Sequence, residues 1–185
     1  MLTDPPKIVI LASGQGSLAA AVMASAGLYE VAAIISDQPA AGVLGHAQAA
    51  SVPTAVVELQ GDRVAWEERL GDAVASFSPQ FVVSAGFMRI LSPLFLQRFR
   101  VINSHPSLLP LFPGAHAVSD ALLAGVSHTG CTIHWVDEGV DTGEVIAQRI
   151  VEVLPGDTEA TLHERIKVVE RELLVSVVEA LVKGN

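Results

Sequence analysis

Five short runs in this chain are apolar throughout: KIVILAS (7–13), EVAAIIS (30–36), TAVVEL (54–59), QFVVSAG (80–86) and RVINS (100–104). A strand exposed on one face alternates apolar and polar residues, so a continuous run belongs to a strand covered on both faces, as in a parallel sheet. The segments between the first runs have helical character: SLAAAVMASAG (17–27), the alanine-rich stretch 40–51 and DRVAWEERLGDAVASF (62–77). Repeated strand–helix alternation predicts an α/β fold with a doubly wound, mostly parallel, Rossmann-like sheet. The pattern changes after residue 126. HTGCTIHWV (128–136) and EVIAQRIVEV (144–153) are joined only by DEGVDTG (137–143), too short for a crossover helix, which predicts antiparallel C-terminal strands. A long C-terminal helix follows, with Asp157 expected as its N-cap, Gly184 at its end and a stripe of Leu162, Ile166, Val169, Leu173 and Val177.

With 185 residues, half of them hydrophobic, a single domain over 1–185 with a sizeable core is expected. Eleven basic against 20 acidic residues give a formal charge of -9, which argues against nucleic acid as a partner. A small anion remains compatible, because helix N-terminal amides bind phosphate without any basic side chain. Cys131 is the only cysteine, so neither an internal disulfide nor a cysteine-based zinc site is expected, and no H-x-x-x-H pair suggests another metal. MLTDPPKIVILAS at the N-terminus has no basic leader and reads as a first strand, and no apolar run reaches membrane-spanning length. A cytoplasmic protein without a membrane partner is the expectation.

Four places have residues suited to chemistry. Gly14-Gln15-Gly16-Ser17 separates the first strand from a helix, a placement suited to an anion. The spacing Gly14-x-Gly16-x-x-Ala19, with Asp37 further on, also fits a dinucleotide fingerprint, and a plain tight turn is a third reading. Asn103 and His105, two apart at a strand end, share a face and are followed by a loop stiffened by Pro106, Pro110 and Pro113. An amide donor with an imidazole suits an oxyanion or a departing amine; a capped strand end with a bonded histidine is the plainer alternative. Asp137, Glu138, Asp141 and Glu144 crowd one loop, either as a solvated turn or with one Asp meeting His105. Glu170 lies at the edge of the last helix's apolar stripe, where it either reaches solvent or binds a cationic group. His134, alternating with apolar neighbours, reads as a core histidine, and His46, His128 and His163 as surface residues.

Taken together, SGQGS, AGFMRILSP (85–93), INSHPSLLPLFPGAHA (102–117) and HWVDEGVDTGEVI (134–146) resemble, in order and spacing, the glycinamide ribonucleotide (phosphoribosylglycinamide) formyltransferase family of folate-dependent formyltransferases. The resemblance covers nearly the whole chain. It implies the formyltransferase fold and transfer of a formyl group from 10-formyltetrahydrofolate to the amine of glycinamide ribonucleotide in purine biosynthesis, with no metal. It further implies that Asn103 and His105 stabilise the oxyanion, that His105 donates the proton, and that Asp141 favours the protonated imidazole. By the same resemblance Gly16, Ser17 and Leu18 hold the ribonucleotide phosphate and Glu170 binds its glycinamide amine. Met88, Arg89, Ile90 and Leu91, with Asn103, line the pterin pocket, Arg63 lies near the folate's glutamate tail, and His116 belongs to the site region. Residues 1–100 would then form the phosphate-binding half and 101–185 the catalytic and folate-binding half, with a homodimer left open.

The chain departs from the family at Leu18, where many members have Asn, so a phosphate contact there falls to the backbone amide. It is also expected to lack the tail of longer relatives. Rival readings are a methionyl-tRNA formyltransferase, a formyltetrahydrofolate hydrolase, an NAD(P)-dependent oxidoreductase built on Gly14, Gly16, Ala19 and Asp37, and a non-enzymatic nucleotide-binding module. LFPG after SLLP and the charge of -9 weigh against the tRNA enzyme.

Overall fold

The computed structural model describes residues 4–184. The chain runs β1 (Lys7–Leu11), α1 (Ser17–Ala24), β2 (Glu30–Ser36), α2 (Gly42–Ala49), β3 (Thr54–Val56), α3 (Arg63–Ala75), β4 (Phe81–Ser84), α4 (Pro93–Arg98), β5 (Val101–His105), α5 (Ala117–Leu123), β6 (His128–Trp135), β7 (Val145–Glu152) and α6 (Glu159–Lys183). One seven-stranded sheet has the order β3-β2-β1-β4-β5-β6-β7. The first five strands pair in parallel, whereas β6 lies antiparallel to both β5 and β7. The doubly wound sheet, its antiparallel C-terminal strands and the long last helix are as the apolar runs imply. No helix among the described residues is long and apolar enough to cross a membrane.

Two hydrophobic clusters cover the two faces. On one face Ile8, Ile10, Val83, Ile102 and Ile133 meet Ala19 and Val22 of α1 and Leu162, Ile166, Leu174 and Val178 of α6. On the other, Val9, Leu11, Val82 and Val101 meet Trp66, Leu70 and Val74 of α3 and Phe95 of α4. Alternation along β1, β2 and β4 therefore sends consecutive side chains into different cores, whereas β3, expected to be covered on both faces, is a three-residue edge strand and mostly exposed.

Side-chain caps set three of the helix starts, those of α3, α4 and α6. The Asp62 carboxylate accepts from the Ala65 amide at 2.9 Å at the head of α3. Ser92 caps α4, with Pro93 at the first helical position, a Ser-Pro start that the alternation pattern passes over because the helix is only six residues long. The short α5 likewise has no stripe long enough to show. The N-cap of α6 is Thr158, not Asp157: Thr158 and Thr161 form a reciprocal capping box. Asp157 instead accepts from the Leu154 amide at 2.7 Å and from both terminal nitrogens of Arg165 at 2.8 Å, bracing the first turn from outside. A carboxylate with a bidentate arginine is better used there than as a simple cap.

The packing of α6 yields a direct comparison. Leu174 is fully buried between α6 and the sheet, whereas Val168 on the same helix is 49% exposed. Leu174→Ala should lower unfolding free energy in urea by about 2–5 kcal/mol. Val168→Ala should stay within about 0.5 kcal/mol of the parent. Equal effects would mean that α6 is not docked through this face.

Candidate active site

The end of β5 is where polar groups gather. Asn103 pairs with His134 and His105 with Thr132 across the antiparallel β5–β6 ladder, so these four side chains share one face. His105 is buried, 4% exposed, yet both ring nitrogens have partners. Nδ1 lies 3.2 Å from an Asp141 carboxylate oxygen and Nε2 lies 2.8 Å from the Phe112 carbonyl. A carbonyl and an ionised carboxylate only accept, so a ring with hydrogen on both nitrogens satisfies both. Asp141 and Phe112 both have left-handed backbone, with φ of 55° and 54°. That conformation costs a non-glycine residue on the order of 1–2 kcal/mol and is tolerated where the surroundings impose it.

Asp141 is the only acid of its loop that turns inward. Asp137 accepts from the Gly139 amide and the Thr142 hydroxyl, a local turn. Asp141 takes the Gly114 amide at 2.8 Å, which fastens the 137–144 loop to the proline-rich segment. Burial pushes its carboxyl up, but the hydrogen bond from His134, the Gly114 amide and the charges of His105 and His134 outweigh it and hold it below the usual carboxylate range. Asp141 therefore remains an anion into acid solution.

His134 is a buried histidine, as its alternation suggests, and it is also part of this group. Its Nδ1 lies 2.9 Å from the Trp135 carbonyl, and its Nε2 lies 3.4 Å from Asn103 Nδ2 and 3.5 Å from Asp141. With its Nδ1 beside the Trp135 carbonyl, the ring is oriented so that Nε2 faces both the Asn103 side-chain amide and the Asp141 carboxylate. The β5–β6 register is the signal that would have found it. Thr132 acts below them: its hydroxyl donates to Ser107 O at 2.6 Å and accepts from the Leu109 amide at 3.1 Å. Gln148 adds a bond to Leu109 O at 2.8 Å. The loop after His105 is thus pinned by these bonds as well as by its prolines.

The remaining residues sort by face. On the α1 and α6 face, Gly16 is the N-cap of α1 with φ of 81°, and no side chain of the described residues caps this helix, so the amides beginning at Ser17 and Leu18 suit an anion. A Cβ on Gly16 would lie 2.5 Å from Val43 of α2, so glycine is required by packing as well as by its backbone. Ala19 is fully buried against the sheet. Glu170 lies on this face too, 3% exposed, accepting from the Ser104 hydroxyl at 2.6 Å. On the opposite face, Met88 and Ile90 are exposed, 73% and 65%, while Phe87 and Leu91 anchor the loop in the core. Arg63 donates to the Ile90 carbonyl and lies over the Trp66 ring. His116 is exposed at the head of α5 and does not reach His105 by any hydrogen bond among the described residues. Asp37 is 2% exposed and engaged by Ser13, Gln38 and Arg89, which leaves no carboxylate for a dinucleotide ribose and removes the basis of the oxidoreductase reading.

Glu170 has a consequence for stability. Burial raises its carboxyl pKa, against the Ser104 bond and the charges of Lys167 and Arg171. The folded state therefore binds a proton that the unfolded state releases above about pH 4.3. The stabilisation is complete below that pH and is lost as pH rises through the folded value. Glu170→Gln keeps an acceptor for Ser104 and removes the charge. Its melting temperature should exceed the parent's at pH 7.5, with the gap closing toward pH 5; a gap independent of pH would refute this origin.

A family model described as formyl transferase matches residues 6–178. A phosphoribosylglycinamide formyltransferase of Mycobacterium tuberculosis is 51% identical over 184 residues, covering 96% of this chain and 85% of the relative. The crystal structure of glycinamide ribonucleotide transformylase 1 from Symbiobacterium toebii matches with a TM-score of 0.95 at 34% identity, over 97% of this chain and 89% of that one. The same enzyme from Geobacillus kaustophilus gives a TM-score of 0.92 at 38% identity, over 96% and 99%. Matched over nearly its whole length, the chain belongs to the formyl transferase family.

Proposed function

We propose that this chain transfers the formyl group of 10-formyltetrahydrofolate to the primary amine of glycinamide ribonucleotide. The products are N-formylglycinamide ribonucleotide and tetrahydrofolate, in de novo purine biosynthesis in the cytoplasm. The observation that carries the reading is the group at the end of β5: His105 held between Asp141 and a carbonyl, with Asn103 beside it. In this transfer the amine nitrogen bonds to the formyl carbon, the formyl oxygen takes negative charge, and the bond to the folate nitrogen breaks. The attacking amine must lose a proton and the leaving nitrogen must gain one.

The residues present suit each demand. One Asn103 N–H is directed to His134, and the second is the donor for the oxyanion. His105 supplies positive charge and the proton, its Nε2–H turning from the Phe112 carbonyl to the substrate. Asp141, held ionised, pairs with the ring and helps pass the amine's proton through water to the imidazole, which regains the proton it gave to the leaving nitrogen. For the ribonucleotide, the amides at Gly16, Ser17 and Leu18 take the phosphate. Glu170 lies on that same face, away from Asn103 and His105, so its position supports a contact with the ribose hydroxyls more than with the reacting amine. For the folate, the exposed apolar Met88 and Ile90, with Arg89 and the buried Leu91, offer a surface that a flat heterocycle would cover, and Asn103 reaches its formyl end. Arg63, bound to Ile90 O, supports the loop's far end and is placed to meet an anionic tail. In this reading substrate roles divide by sheet face, with the folate loop inside residues 1–100, so the two chain halves do not correspond to the two substrates.

The test follows folate product by absorbance with and without glycinamide ribonucleotide. Turnover should require the ribonucleotide; turnover in its absence would make the enzyme a hydrolase. His105→Ala and Asp141→Asn should each lower kcat on the order of 10²–10³-fold, as loss of a transition-state contact does. The double variant should lose far less than the product of the two, because the residues act as one proton-handling unit. Multiplicative losses would show that they act independently.

A further inference from the structure

Asp37, at the end of β2, is the buried carboxylate for which the proposed reaction has no direct use. One oxygen accepts from the Ser13 hydroxyl at 2.6 Å; the other accepts from Arg89 Nε at 2.7 Å and Gln38 Nε2 at 3.1 Å. The Ser13 hydroxyl in turn accepts from the Met88 amide at 2.9 Å, and the Ser13 amide donates to Gly86 O at 3.1 Å. Two consecutive residues of the 86–91 loop, Met88 and Arg89, are therefore fixed by one carboxylate, one through its backbone and the other through its side chain. Burial pushes the Asp37 carboxyl up, but the bonds from Ser13, Arg89 and Gln38 and the Arg89 charge outweigh it and keep it ionised.

The loop needs such a tether. Met88 and Ile90 stand exposed with little packing of their own. Phe87 and Leu91 anchor the loop at either side. Between those anchors the backbone is held at Met88 by Ser13 and at Ile90 by Arg63. An apolar surface that must receive a rigid ring system gains affinity when its backbone is already in place.

We propose that Asp37 is a positioning residue for the folate co-substrate: through Arg89 and Ser13 it holds the 88–91 loop in its binding conformation. This rests on the reading of that loop as the pterin surface. The carboxylate that a dinucleotide fingerprint would assign to a ribose is instead turned inward, across the end of β1, onto the loop that follows β4.

The experiment compares Asp37→Ala, Asp37→Asn, Arg89→Ala and the Asp37→Ala/Arg89→Ala double variant in steady-state kinetics, with melting temperature recorded for each. Asp37→Ala should raise KM for 10-formyltetrahydrofolate about 10-fold, the scale of a lost bond to a charged group. Its KM for glycinamide ribonucleotide and its kcat at saturating folate should stay within about two-fold of the parent, as loss of ground-state binding requires. Asp37→Asn keeps one acceptor and should fall between. The double variant should lose less than the product of the two single losses, because both cut the same Asp37–Arg89 bond. Should Asp37→Ala not fold, Ser13→Ala, which cuts the Asp37–Ser13–Met88 link and leaves the Arg89 bond in place, should raise the same KM several-fold. Ile90→Asp separates the two levels of the account. If it leaves folate KM unchanged, the loop is not the folate surface, and the proposal falls with that reading. If it raises folate KM while the tether variants do not, or if they raise both KM values equally, Asp37 does not position the loop.

Discussion

The pleat of β5 sends Asn103 and His105 to one face of the sheet and Ser104 to the other. The site depends on that alternation. Asn103 and His105 meet His134 and Thr132 of the antiparallel neighbour and the inward carboxylate of Asp141. Ser104 turns to Glu170 of α6, the face that also carries the glycine-bounded start of α1. A one-residue slip of β5 would exchange these sets and put an imidazole into the aliphatic core. The buried residues Val101 and Ile102, each in a different core, oppose such a slip.

In the proposed function two substrates of unlike character approach from opposite faces. The α1 side offers helix amides and a buried carboxylate, suited to a phosphorylated sugar. The other side offers an apolar loop rooted by Phe87 and Leu91 and tethered by Asp37. In the proposed function their reacting ends meet above the strand ends, where His105 and Asn103 stand. Loops over that edge are held by Thr132, Gln148 and the Gly114–Asp141 bond. Rigid support of this kind is what oriented donors require.

The sheet was legible in the sequence because unbroken apolar runs have few other structures open to them. Asn103 and His105 were legible because an amide and an imidazole stand at a strand end beside prolines, whereas Asp141 was one of four acids in its loop and only the family resemblance singled it out. Other parts depend on pairings that no local pattern displays. His134 reads as an ordinary core residue until the β5–β6 register sets it against Asn103. Asp37 fits a ribose-binding spacing, and only its contact with Arg89, 52 positions away, shows it turned to another loop. Asp157 looked like a helix cap because caps are scored by position, whereas a bidentate arginine and a Thr–Thr box settled the boundary one residue on. The short helices α4 and α5 fall below the length at which periodicity speaks.

The central claim is that the two substrates meet over the end of β5 from opposite sides of the sheet. A crystal structure with glycinamide ribonucleotide and a non-reactive analogue of 10-formyltetrahydrofolate tests it most directly. The account predicts the phosphate on the amides of residues 16–18, the pteridine against residues 88–91, and the substrate amine facing the formyl-equivalent carbon beside Asn103 Nδ2 and His105. Both ligands on one face, or a formyl-equivalent group out of reach of Asn103 and His105, would contradict it.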